Sequence, residues 1–173
     1  MLKTTTDLKL IPIKGWKKLV MAISYFEEKE YCYIEAECSK IQLKDTFSGQ
    51  NFKDALLKLR QTVEPKGYKI ACSGCLKNAI YSGQLLRSGK GLSAYMVTDI
   101  NKPVDITQRV GSLSPVDKSL WKELSTIEEQ KSFKKLYVDN AIKNSDQWAR
   151  ESAKKRQVLL EKQKKSRLLN KNL

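Results

Sequence analysis

Residues Tyr31 to Cys38 alternate without a break. Cys32, Ile34, Ala36 and Cys38 fall on one face, and Tyr31, Tyr33, Glu35 and Glu37 on the other. Such a run specifies a strand with one apolar and one solvated face. That strand belongs in a sheet covered on one side only, so the chain must supply a cover. One follows directly: Phe52, Ala55, Leu56, Leu59 and Val63 stand at i, i+3, i+4, i+7 and i+11, a single stripe of an amphipathic helix. Ser48 or Asn51 would cap it, Asp54 favours its first turn, and Pro65 and Gly67 end it.

The other elements are arranged around this pair. Met1 to Leu10 is Thr-rich without sustained periodicity and reads as a frayed lead-in. Trp16 to Phe26 reads as a strand joined to Tyr31–Cys38 through the charged turn Glu27-Glu28-Lys29. Ile41 to Leu43 would be a short third strand and Lys44 to Gln50 a turn. Tyr68 to Cys72 and Leu92 to Val97 read as strands flanking a long glycine-punctuated loop, with one more short strand near Val104–Ile106 or Val110–Leu113. Ser125-x-x-Glu128 reads as a capping box opening a helix that ends near Asn140. A second helix would run from Asp146 to about Leu169, with Trp148 as its packing anchor. The expected fold is α+β: an antiparallel or mixed sheet of about five strands packed by one amphipathic helix, followed by C-terminal helices including a long basic one. Residues 1–140 would form the α+β domain and residues 141–173 a basic helical extension.

Charge is uneven. The net is +14, and the last 33 residues carry ten Lys/Arg against three Asp/Glu, a net of +7. The other 140 residues carry 23 against 16, the remaining +7. This balance favours acidic or polyanionic partners. Arg150, Lys154, Lys155, Lys162, Lys164, Lys165 and Arg167 form a candidate nucleic-acid face. No finger, aromatic RNA-binding run or helix-turn-helix signature accompanies it. Histidine is absent altogether, which excludes Ser-His-Asp and Cys-His catalysis and histidine metal sites. The apolar run Leu19–Ile23 is too short for an export signal or a transmembrane segment. The expectation is therefore a cytoplasmic protein with reduced cysteines.

Cys72-Ser73-Gly74-Cys75 is a C-x-x-C pair. A four-thiolate zinc site with Cys32 and Cys38 fails on geometry. Six residues apart on one strand, those two lie roughly 20 Å apart, whereas zinc ligands sit ~2.3 Å from the metal. Cys75 is followed by a poor helix start, unlike a thioredoxin-type pair, so the cysteines read as structural. Gly83-x5-Gly89-Lys90-Gly91 has the wrong spacing for a phosphate loop and lacks the Ser/Thr after its lysine. It reads as turns, with an anion-binding nest of Ser88–Gly91 amides as the alternative. The acid pairs Glu27/Glu28, Glu35/Glu37 and Glu128/Glu129 read as turn, solvated face and helix first turn. No catalytic residues, cofactor or metal are expected.

The run Tyr81-Ser82-Gly83, then Gly89-x-Gly91, then Ala94-Tyr95 resembles a pattern in a family of small uncharacterised bacterial α+β proteins. Ser125 to Phe133, with Glu129-Gln130-Lys131, resembles a helix start in the same family. The likeness covers Trp16 to Tyr137 and leaves out the basic tail. It departs from the family at Gln84–Arg87, where a methionine-containing stretch is the pattern. The resemblance implies an accessory or immunity partner of a toxin. The reading is then a non-enzymatic protein recognising an acidic protein partner through Tyr81, Ser82, Arg87, Ser88, Gly89, Lys90 and Gly91. Nucleic-acid binding through the basic C-terminal helix is the alternative.

Overall fold

The computed structural model describes residues 2–150 together with 153, 154 and 157. They fall into two compact units: residues 2–98 with Val104–Lys134, and Asp99–Pro103 with the described residues from Lys135 onward.

In the first unit the alternating strand lies inside a curled antiparallel sheet. Its strands are β1 (Thr4–Pro12), β2 (Leu19–Glu28), β3 (Tyr31–Cys38), β4 (Leu43–Gly49) and β5 (Tyr68–Ile70), in the spatial order β4-β3-β2-β1-β5. Cys32, Ile34, Ala36 and Cys38 are buried as their alternation requires. Helix α1 (Phe52–Val63) covers that face with Phe52, Ala55, Leu56, Leu59 and Val63. Phe52 meets Tyr25 edge-on at 5.7 Å. The helix starts where it does because the Asn51 side chain accepts the Asp54 N–H at 3.0 Å. A side chain at Gly49 would stand 2.7 Å from Asp54 Cβ and 2.8 Å from the Ala55 nitrogen, so only glycine lets β4 turn into the helix. Every pairing is antiparallel. β4 and β5 therefore run the same way at opposite edges, and α1 crosses the whole sheet to join them.

Three expectations are corrected here. The Thr-rich start is no lead-in: β1 lies between β2 and β5, with Leu8 and Leu10 fully buried. Its β-branched threonines suit a pleated surface, and pairing on both sides supplies what periodicity did not signal. Lys44–Gln50 is not a turn but most of β4, which buries Leu43, Phe47 and Gly49; the turn lies earlier, at the 3-10 segment Ser39–Ile41. Strand β2 starts at Leu19, leaving Trp16 on the hairpin between β1 and β2.

Beyond β5 the chain builds a smaller sheet, β6 (Ala79–Ile80), β7 (Ser93–Met96) and β8 (Arg109–Gly111), in the order β6-β7-β8. The long loop is therefore structured: the 3-10 turn Ser73–Cys75, β6 and helix α2 (Gly83–Ser88) lie inside it. Helix α3 runs Ile127–Lys143, three residues past the expected end. Its capping box is one residue later than expected. Thr126 Oγ1 accepts the Glu129 N–H at 3.2 Å, and the Glu129 carboxylate accepts the Thr126 N–H at 2.6 Å.

In the second unit Tyr137 and Trp148 pack ring to ring at 5.6 Å. The Trp148 indole donates to the Asn101 carbonyl at 3.1 Å. Residues 145–150 are helical; the rest of the expected long basic helix lies largely outside the described residues. Among the described residues no helix is long and apolar enough to cross a membrane.

Candidate functional site

One arginine on the apolar stripe of α1 organises the site. Arg60 is 3% exposed. Its Nε donates to Glu64 Oε1 at 2.9 Å, one Nη to the Ser125 carbonyl at 2.8 Å, and the other to Gln130 Oε1. Glu64 uses its second oxygen to accept the Ile127 N–H at 2.9 Å, fixing the first residue of α3. The Gln130 amide reaches the carbonyls of Gly74 at 3.0 Å and Leu76 at 2.8 Å. These bonds hold the start of α3 against α1 and the segment 74–79, and a cavity of about 150 Å³ lies between them.

Its walls are apolar: Leu56, Leu57, Ala79, Ile80 and Ile127, with the Tyr81 ring. Its cations are Arg60 and the lysines Lys53, Lys131 and Lys134, and no carboxylate lines it among the described residues. The Lys53 ammonium stands 6.0 Å from the Tyr81 ring centre. Lys131 pairs with Glu128 at 2.8 Å, but both are well exposed and the pair holds weakly. The Tyr81 hydroxyl is buried and makes no well-aligned hydrogen bond among the described residues, although the Ser112 side chain lies near enough to act on it. Burial pushes its ionisation far above the ordinary tyrosine range. It sits there because Gly74 has no side chain: a Cβ would come within 2.7 Å of the hydroxyl and 2.9 Å of the Ser112 carbonyl.

Tyr81 is thus the one sequence-named partner residue that lines the cavity. Ser82 caps α2 by accepting the Leu85 N–H at 3.2 Å. Arg87 is exposed on α2, and the Ser88 hydroxyl is spent on the Gln84 carbonyl at 2.8 Å. Of the four amides in the anion-nest alternative, Gly89 and Gly91 donate theirs to the Leu85 carbonyl, at 3.1 Å each, and so do not face a ligand. The stretch serves as a brace. The Lys90 carbonyl accepts the Phe52 N–H at 2.7 Å, which ties it to the start of α1 beside Lys53. Gly91 lies at φ +70°, with room for a Cβ only 3.1 Å from the Lys53 nitrogen. In the second unit Arg150 and Lys154 line one shallow depression with Lys143 and Asp146. Lys155, Lys162, Lys164, Lys165 and Arg167 lie outside the described residues.

Sequence reasoning did not single out Arg60, Lys53 or Lys134 as site residues. The available signal was Arg60 itself, a cation on the same helical face as Phe52, Leu56 and Val63. Gln130 and Lys131 entered only through the resemblance.

All four cysteines are free and buried. Cys72 and Cys75 lie in contact behind the cavity, with sulfurs 3.4 Å apart. The hydrogen bond to Cys75 and burial hold the Cys72 thiol well above the usual range. For Cys75 burial acts the same way, but the bond from Cys72 and the Arg60 guanidinium outweigh it and bring the thiol below its usual range. Cys32, on the sheet, is pushed up to about 11 by burial and then by the Glu27 carboxylate. Among the described residues no three ligating side chains gather for a metal ion.

These shifts fix an alkaline limit. Cys32 and Tyr81 stay protonated when folded at pH values where the unfolded chain gives up those protons. Their contribution to stability is complete below about pH 8.5 and is lost as pH rises through the folded values. Cys32 alone accounts for about 3 kcal/mol. Under reducing, oxygen-free conditions the melting temperature should fall between pH 9 and about 11, and Cys32→Val should flatten the decline. A constant melting temperature across that range would contradict the assignment.

Compared with protein-family models and with curated proteins, the chain shows no match.

Proposed function

We propose that the protein is a non-enzymatic recognition module that seats one apolar side chain of an acidic protein partner in the cavity between α1, β6 and α3. The observation that carries this reading is an apolar cavity rimmed by three lysines and lined by no carboxylate among the described residues. About 150 Å³ matches one aromatic or branched aliphatic side chain. A single buried anchor of that kind supplies much of the energy of many interfaces. The lysines favour acidic residues flanking the anchor and discriminate against basic competitors. Lys90, braced beside Lys53, and Arg87 on α2 extend the positive face along the stretch that the sequence singled out. Recognition without turnover suits an inhibitor or immunity protein, as the resemblance implies.

The test uses a synthetic peptide with one phenylalanine between Asp/Glu pairs, titrated calorimetrically at low and physiological salt. Binding should weaken at least tenfold when the phenylalanine is replaced by alanine or the acids by lysines. Lys53→Glu combined with Lys134→Glu should cause a similar loss. Equal binding of all three peptides would sink the proposal. A second reading, nucleic-acid binding through residues 141–173, is supported by their net charge and by Arg150 and Lys154 sharing one depression. An oligonucleotide held there would leave the peptide titration unchanged.

A further inference from the structure

The three tryptophans are held very differently. Trp121 donates its indole N–H to the Val116 carbonyl and lies under two ammonium groups, Lys9 at 5.4 Å and Lys18 at 4.6 Å. Trp148 is buried and bonded to Asn101. Trp16 is 96% exposed, and among the described residues it makes no hydrogen bond or ring contact. A tryptophan that gives almost its whole surface to water forgoes the largest burial energy any side chain offers.

Its setting is built. Trp16 lies on the connection between β1 and β2, where Gly15 at φ +91° allows the left-handed bend. The Ile13 N–H donates to the Gly67 carbonyl at 2.8 Å, which fastens the base of the hairpin to the turn after α1. Ile13, itself 42% exposed, adds to the apolar tip. Trp16, Ile13 and Tyr68 share one open cleft with Lys14, Lys17 and Lys66, and no acidic residue lines it among the described residues. The cleft is separate from the lysine-rimmed cavity and has no residue in common with it.

We propose that this hairpin docks the protein on an anionic lipid surface. The indole would sit at the boundary between headgroups and acyl chains, the level that tryptophan prefers for its apolar body and polar N–H. The lysines would face the acidic headgroups, each strengthening binding about fivefold. A base-stacking role fits less well. A stacking platform needs a ring held at a fixed angle by its neighbours, and Trp16 has none. A lipid interface accepts a ring in any orientation, and it also takes Ile13, which has nothing to offer a base.

The experiment is co-sedimentation of the full chain with phosphatidylcholine vesicles containing 30% phosphatidylserine, at physiological salt. Pure phosphatidylcholine vesicles and a twenty-residue thymidine oligonucleotide serve as comparison probes. Binding to the anionic vesicles is expected, with brominated acyl chains quenching the Trp16 fluorescence. Trp16→Ala should weaken binding at least tenfold, and Lys14→Ala with Lys17→Ala and Lys66→Ala about 100-fold. Because Trp16 packs against nothing, its alanine variant should keep the parent melting temperature, so lost binding reports the surface and not the fold. Absence of binding to anionic vesicles overturns the proposal. So does binding that Trp16→Ala leaves intact, which is attraction of the net charge alone. Oligonucleotide binding that needs Trp16 while vesicle binding does not would likewise overturn it, in favour of nucleic acid.

Discussion

Arg60→Met should lower the unfolding free energy by about 3–5 kcal/mol, measured by urea denaturation at neutral pH. The methionine fills much of the same space, so the loss is not chiefly one of packing. It comes from the groups left behind. Glu64 keeps a carboxylate whose side chain is only 14% exposed and loses its cation; the Ser125 carbonyl and Gln130 Oε1 lose their donors. Breaking one side of a buried pair costs far more than the pair contributes. Glu64→Gln is expected to cost less, because an amide oxygen can still accept from Arg60 or from Ile127. A loss under 1 kcal/mol in Arg60→Met would mean that the start of α3 is held by something else. The peptide affinity of the cavity should fall in the same variant, since Ile127, Gln130, Lys131 and Lys134 all depend on that start.

Gly74→Ala is expected to destabilise by about 1–3 kcal/mol, and Tyr81→Phe to restore part of that loss, since the contact with the Ser112 carbonyl remains. An alanine methyl would stand 2.7 Å from the Tyr81 hydroxyl, 2.9 Å from the Ser112 carbonyl and 3.0 Å from Leu56 Cδ2. Removing the hydroxyl removes the tightest of these. Tyr81→Phe alone should be neutral or stabilising by up to about 1 kcal/mol, because the hydroxyl is desolvated without a well-aligned hydrogen bond. The double variant therefore carries the information. A coupling energy near zero in the cycle would show that Gly74 answers to its backbone neighbours and not to Tyr81.

How much of this could be read from the chain follows from where each signal lies. Strand β3 and helix α1 were legible because each is a periodic pattern complete within its own segment. β1 was not. Only Leu8 and Leu10 mark its buried face, and what makes it an interior strand is pairing with residues 19–25 and 68–70. β4 was hidden because its buried residues Leu43, Phe47 and Gly49 skip position 45, which is exposed. The glycine-rich stretch reads from spacing as a loop, yet it holds helix α2, and the Gly89 and Gly91 amides turn inward on Leu85, a choice that spacing does not encode. The cavity combines α1, the 74–81 segment and the start of α3, so no motif could have displayed it. Arg60, a charge on an apolar stripe, was the one local sign that another segment had to arrive there.

The order of the large sheet also bears on how the protein is made. Leu10 is paired on one side within the first hairpin, but its other neighbour, Ile70, comes sixty residues later. At ribosomal speeds of about 5–20 residues per second, that leaves the β1 edge uncovered for roughly 3–12 s. An uncovered edge invites pairing with another nascent copy. Pro12, which has no N–H to offer, and the Lys9 side chain stand along that edge, where they discourage such pairing until β5 is synthesised.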